Sequence, residues 1–103
     1  MWAQLITIRL KPGKEDALQN LLEHLQAVEQ PGSGLVRQTA MRDQNDPSRV
    51  YVLTLFECEE KAREREIDPR RQEGLKDVRA LMAESIDGPR EFVDLIVVHE
   101  VSQ

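Results

Sequence analysis

Apolar residues recur along this chain with two different periods, and the switches between them mark its elements. Residues 3–10, AQLITIRL, alternate: Ile6, Ile8 and Leu10 share one face, and Leu5, Thr7 and Arg9 the other. That is the pattern of a strand, where successive side chains point to opposite sides. Pro12-Gly13 ends it, since proline has no N–H for a ladder and glycine accommodates a turn. Over residues 14–29 the period lengthens. Leu18, Leu21, Leu22, Leu25 and Val28 recur at three- and four-residue steps, the stripe of an amphipathic helix. Glu15 and Asp16 fall in its first turn, where carboxylates oppose the positive end of the helix dipole. The run Pro31-Gly32-Ser33-Gly34 stops it.

Alternation resumes over residues 35–42, LVRQTAMR, and 49–57, RVYVLTLFE, two strands joined as a hairpin through DQNDPS. Tyr51 and Phe56 have opposite parity, so one ring faces the helices and the other the far side of the sheet. A heavily charged run follows, KAREREIDPRRQEGL at residues 61–75. Cys58-Glu59-Glu60 opens a helix with acids in its first turn, and Lys and Arg then alternate with Glu at ion-pair spacing. Asp68-Pro69 reads as an N-cap followed by proline at the first helical position. Leu75, Val78, Leu81 and Met82 form a second apolar stripe, closed by Asp87-Gly88-Pro89. Residues 91–101, EFVDLIVVHEV, read as the last strand. The order is β-α-β-β-α-β with no repeat and no linker. It predicts one α+β domain over residues 1–103, a ferredoxin-like antiparallel sheet of the split βαβ kind with both helices on one face.

The last strand carries Leu95-Ile96-Val97-Val98 without a polar break, so it is apolar on both faces. Leu5 and Ile6 repeat this in the first strand. Two helices cover one face of a four-stranded sheet, and the chain has no third layer. A second copy packed sheet to sheet covers the other, which predicts a homodimer, a dimeric α+β barrel. The alternative is a monomer with an exposed apolar sheet face, an arrangement monomers seldom tolerate.

Charge narrows the partners. Of the 103 residues, 32% are charged and the formal net charge is -5, which argues against the basic footprint of a nucleic-acid binder and against docking on anionic lipid. Cys58 is the one cysteine, so no internal disulfide forms. MWAQLITIRL lacks the basic start and apolar core of a signal peptide, and no run approaches the roughly 18 apolar residues of a membrane span. A cytoplasmic protein is expected.

The runs ITIRLKPGKEDALQNLLEHL, PGSGLV, RVYVLTLFECEEKA and IDP, in that order and spacing, resemble the antibiotic biosynthesis monooxygenase domain family. The resemblance spans nearly the whole chain. It implies a dimeric α+β barrel and an activity among cofactor-independent oxygenases of phenolic and quinone-like compounds, haem-degrading enzymes and members of unassigned function. The haem-degrading branch carries Asn on the first strand, Trp on the charged segment and His on the final helix. The matching positions are Ile6, Arg65 and Leu75, none of which fits, so haem degradation is not expected. Relatives often carry His near position 65 and Pro-His-Phe where this chain has Pro69-Arg70-Arg71. The ligand pocket that the resemblance implies includes Ile6, Phe56, Arg65 and Leu75, with Phe56 at the family's strand-end aromatic.

The arginines raise a question of their own. Arg63, Arg65, Arg70 and Arg71 cluster around a helix start, where backbone N–H groups and guanidinium forks both favour anions. An acidic or phenolate ligand suits such a site. The alternative is a solvated face on which they pair with Glu59, Glu60, Glu64 and Glu66; Arg65 is then the member expected to turn inward. His24, beside the first helix stripe, and His99, in phase with Leu95 and Val97, are candidate bases near neutral pH. With Arg65 they make up the candidate catalytic residues, although each histidine also suits a boundary position. Glu57, Glu59 and Glu60 oppose thiolate formation at Cys58. No catalytic triad, metal-ligand spacing, phosphate loop or dinucleotide fingerprint is present, so neither metal nor bound cofactor is expected. Two main readings stand: a monooxygenase whose small aromatic, phenolic or quinone-like substrate supplies the electrons, and a non-catalytic ligand-binding or stress-associated member of the same fold. An isomerase or lyase on the same barrel is a third.

Overall fold

In the computed structural model, which describes residues 1–103, the opening alternation becomes β1, Trp2–Arg9. A single 3₁₀ turn at Glu15–Ala17 precedes α1, Leu18–Ala27; Lys14 supplies no side-chain cap there, and the first turn tightens. β2 (Leu35–Arg42) and β3 (Arg49–Phe56) form the hairpin. α2 (Glu59–Glu66) and α3 (Pro69–Ser85) follow, and β4 (Glu91–Ile96) closes the sheet. Strand order is β2-β3-β1-β4, every pair antiparallel, which is the ferredoxin-like arrangement.

Register explains the layers. Ile8, Leu10, Val50 and Val52 point to the helix side and bury against Leu18. Leu21 of α1 meets Leu75 and Val78 of α3, with Leu25, Val28 and Met82 packed around them. A third cluster joins Trp2 and Phe56 to Ala62, the one buried residue of α2. Asp68 caps α3 by accepting from the Arg70 backbone N–H at 2.9 Å. Gly34 has φ +82°, and a Cβ there would collide with Lys61; glycine therefore lets β2 start flush against α2.

The last strand is shorter than its apolar run predicts. Its ladder with β1 ends at Trp2↔Ile96, followed by one bond from Val97 N–H to the Met1 carbonyl at 3.2 Å. Residues 97–103 are not strand. There Glu100 accepts from Arg37 of the opposite edge strand at 3.4 Å.

On the face away from the helices lie Leu5, Leu53, Val93 and Leu95, with Met41 and Tyr51. Leu53 is 37% exposed, Leu95 39%, Met41 44% and Val93 49%, so the chain itself leaves an apolar surface open.

Candidate functional site

A cleft of about 620 Å³ opens between the helix-facing side of the sheet and α2 and α3. Ile6, Phe56, Leu75, Met82 and Phe92 give it apolar walls. A narrower recess of about 90 Å³ shares Gln4, Ile6, Leu25, Arg65, Arg71, Met82 and Arg90 with it and continues inward to Ile8, Val52 and Thr54.

The sheet under the cleft carries a polar row. Gln38, Thr54, Gln4 and Asp94 occupy one register line across β2, β3, β1 and β4. Gln38 Nε2 donates to Thr54 Oγ1 at 3.0 Å, and Gln4 Nε2 donates to Asp94 Oδ1 at 3.0 Å. Arg63 of α2 donates to the other Asp94 oxygen at 2.8 Å and also reaches Glu59 and Glu66. Gln4 and Arg63 together hold the Asp94 carboxyl below the usual range.

Arg65 turns inward from α2, with its side chain 13% exposed. Its Nε and Nη2 donate to both oxygens of Glu29, at 2.7 to 3.1 Å, and its guanidinium lies 5.3 Å from the Phe56 ring centroid. Burial works to raise the Glu29 carboxyl. Hydrogen bonds from Arg65 and Ser33 and the charges of Arg65 and Arg71 outweigh it, and the group sits below its ordinary range. Gly74 of α3 makes this geometry accessible: a Cβ there would stand 2.6 Å from Val28 Cγ1, so only glycine lets α3 pack this close to the residue before Glu29.

Arg71, on the first turn of α3, is the exception among these cations. Its Nε is fully enclosed and bonded to nothing. Burial first, and repulsion from Arg65 second, weaken its hold on the proton relative to an ordinary arginine. Arg90 lies beside it in the cleft lining and 5.4 Å from the Phe92 ring.

Ile6, Phe56, Arg65 and Leu75 all line this cleft. The two histidines do not. His24 is exposed on α1 and donates from Nδ1 to the Asn20 carbonyl at 2.7 Å. His99 lies past the end of β4 and is exposed, because the strand expected to hold it in phase with Leu95 ends three residues earlier. Within the charged run, Arg63 does pair with its own helix, Arg70 pairs with Asp68, and Arg65 and Arg71 turn to the cleft. Cys58 is free and exposed. No group of three or more His, Cys, Asp or Glu side chains is placed to hold a metal ion. Sequence reading did not mark Gln4, Gln38, Thr54, Asp94 or Arg90. The available signal was a polar residue at the inward position of an otherwise apolar strand, as Gln4 is between Trp2 and Ile6.

The fold and a helix-to-sheet cleft of this kind define a ferredoxin-like α+β protein with a small-molecule-sized cavity. The chain belongs to the antibiotic biosynthesis monooxygenase family, whose sequence profile matches residues 1–66. No curated protein matches the sequence. Solved structures do. A point mutant of SnoaB, a cofactor-independent oxygenase from Streptomyces nogalater, superposes with a TM-score of 0.75 at 13% identity, covering 99% of this chain and 97% of its own. A Nitrosomonas europaea protein described as an antibiotic biosynthesis monooxygenase gives 0.73 at 18% identity, over 96% of this chain and 100% of its own. A Mycobacterium tuberculosis protein gives 0.74 at 16%, over 98% of each chain. Likeness at such identities establishes the fold; chemistry has to come from the site. No helix is long and apolar enough to cross a membrane.

Proposed function

We propose that the protein is a cofactor-independent monooxygenase acting on a small phenolic or quinone-like aromatic molecule in the cleft between sheet and helices. The observation that carries this reading is the pairing, in one cavity, of apolar walls at Ile6, Phe56, Leu75 and Met82 with inward guanidinium groups at Arg65 and Arg71. A flat ring suits the walls, and fixed positive charge favours the phenolate over the phenol. The phenolate is the form that gives an electron to dioxygen. Recombination then makes a carbon–oxygen bond at the ring carbon, as a hydroperoxide. Loss of water leaves a carbonyl. One oxygen atom stays in the product, the other leaves as water, and the substrate supplies all the electrons. The protein contributes desolvation, orientation and stabilisation of the anion. The narrow recess behind Ile6 and Met82 suits a molecule the size of dioxygen.

The assembly belongs to the same reading. The open face bearing Leu53, Val93 and Leu95 suits a second copy packed sheet to sheet, a homodimer. The free, exposed thiol of Cys58 fits a reducing cytoplasm.

The test is oxygen consumption across a panel of phenols, naphthols and hydroquinones, with product oxygen traced from labelled dioxygen. Incorporation of one labelled atom is expected, reduced at least tenfold in Arg65→Met (about 1.4 kcal/mol of transition-state stabilisation) and unaltered in the surface variant Lys76→Ala. Absence of uptake over the whole panel favours the second reading, a non-catalytic ligand-binding member. A specific observation supports that alternative: no histidine lines the cleft, and its carboxylate Asp94 is already engaged by Gln4 and Arg63.

A further inference from the structure

Charge in the cleft runs against charge in the chain. The protein carries a formal net charge of -5, yet five arginines and two acids line the cavity. The acids are spoken for. Asp94 takes Gln4 and Arg63, and Glu66 also takes Arg63. Glu29, just outside the lining, is held two-pronged by Arg65. Arg71 is left with an enclosed Nε–H that no protein atom accepts. Burial and the like charges of Arg65 and Arg90 press on its guanidinium, partly offset by Glu29 and Glu66. Buried donors in folded proteins are almost always satisfied, and an exception calls for a missing partner. Arg71 also lines the cavity together with Arg90, and two guanidinium groups on one wall favour an anionic acceptor.

We infer that Arg71, assisted by Arg90, is the carboxylate-binding subsite of the cleft, so that the ligand is an aromatic acid whose ring lies against Phe56 and Leu75. The inference rests on the cleft being the ligand site and adds the ligand's class. A carboxylate on an aromatic ring fits both halves of this lining. The guanidinium edge matches a planar carboxylate with two parallel hydrogen bonds. Ile6, Phe56 and Met82 supply the apolar wall for the ring that bears it. Asp68 leaves Arg71 available: it engages Arg70 instead, at 2.8 Å.

The test is calorimetric titration of the intact protein with 6-hydroxy-2-naphthoate and with 2-naphthol, the same ring without the carboxylate. The naphthoate is expected to bind about tenfold or more tightly, the range for a charge-assisted bidentate pair. The preference for the naphthoate over 2-naphthol should shrink to within about twofold in Arg71→Gln and fall partway in Arg90→Gln. Arg71→Lys, which keeps the charge but loses the fork, should recover only part of it. Equal affinities in the unaltered protein, a preference that survives Arg71→Gln, or no binding of either compound would each overturn the inference. Oxygen uptake is read separately. Binding that depends on Arg71 without oxygen consumption keeps the subsite and removes the oxygenase. Consumption of the naphthol with no naphthoate preference does the reverse.

Discussion

Arg65 and Glu29 stand 36 positions apart in the chain and meet in a two-pronged ion pair, with Arg65 Nη2 2.7 Å from Glu29 Oε1. The side chains are 13% and 20% exposed, so the pair ties α2 to the segment after α1 in a site where water screens little. Removing one partner from such a pair strands the other. Glu29→Ala strips Arg65 of its paired carboxylate and leaves it repelling Arg71, and is expected to lower the unfolding free energy by about 2 to 3 kcal/mol, somewhat below the roughly 3 to 5 kcal/mol for breaking fully buried pairs because both side chains keep some exposure. Arg65→Met should cost less, because it also relieves repulsion on Arg71. Urea denaturation of both variants checks the order; equal losses would contradict it.

The same carboxylate has a pH signature. Glu29 sits below its ordinary 4.5 in the folded protein. Its contribution is therefore complete above the unfolded value and fades as pH falls through the lower folded one. The stability gap between the parent protein and Glu29→Gln should be constant from neutral pH down to about 5 and then narrow. A gap that widens in acid would be inconsistent with the sign.

Asp68 offers a cleaner titration. Side-chain and backbone hydrogen bonds with Arg70 bring its carboxyl down from 3.8 to about 2. The cap of α3 should therefore hold through moderate acid, and its contribution should disappear only between pH 3.8 and about 2. Carboxyl carbon shifts followed by NMR would place the midpoint. In Asp68→Asn the α3 amides should exchange faster at neutral pH and match the parent at the acid end.

Much of the fold can be read directly from residue spacing. Ile6, Ile8 and Leu10 share a face, β2 runs over residues 35–42, and Asp68-Pro69 opens α3. These depend on local periodicity and capping, which a one-dimensional pattern carries. The site is written differently. Gln38, Thr54, Gln4 and Asp94 come from four strands and become neighbours only through register. Arg65 finds its acid on the far side of the hairpin, not on its own helix. Ile6, Phe56, Arg65 and Leu75 stood out through family resemblance, and they share the cleft. His99 was read from a strand whose apolar run outlasts its partner.

Gly74 separates helix propensity from packing. In an exposed helix, alanine would be better than glycine by about 1 kcal/mol. Here the new methyl meets Val28 Cγ1 at 2.6 Å and Cβ at 3.0 Å. Overpacking of this kind costs about 1 to 3 kcal/mol, so Gly74→Ala should be destabilising by about 1 kcal/mol net, with α3 displaced from the Glu29 segment. Pairing it with Val28→Ala should restore stability, a coupling that a double-mutant cycle measures.

The open sheet face predicts the assembly. Sedimentation should give a particle near twice the 11.9 kDa chain. Leu53→Glu, which places a charge among Leu5, Val93 and Leu95, should return it to single-chain size at micromolar concentration while circular dichroism stays native. A parent protein that sediments as one chain would remove the dimer.

Trp2 is the chain's one tryptophan. It is 7% exposed, and its ring lies 5.9 Å from the Phe56 ring centroid and 5.1 Å from the Arg63 guanidinium. Phe56 and Arg63 both line the cleft. The molecule thus contains its own optical probe at the cavity wall: emission excited at the indole band comes from one site, and an absorbing ring entering the cavity would quench it by energy transfer without any label being attached.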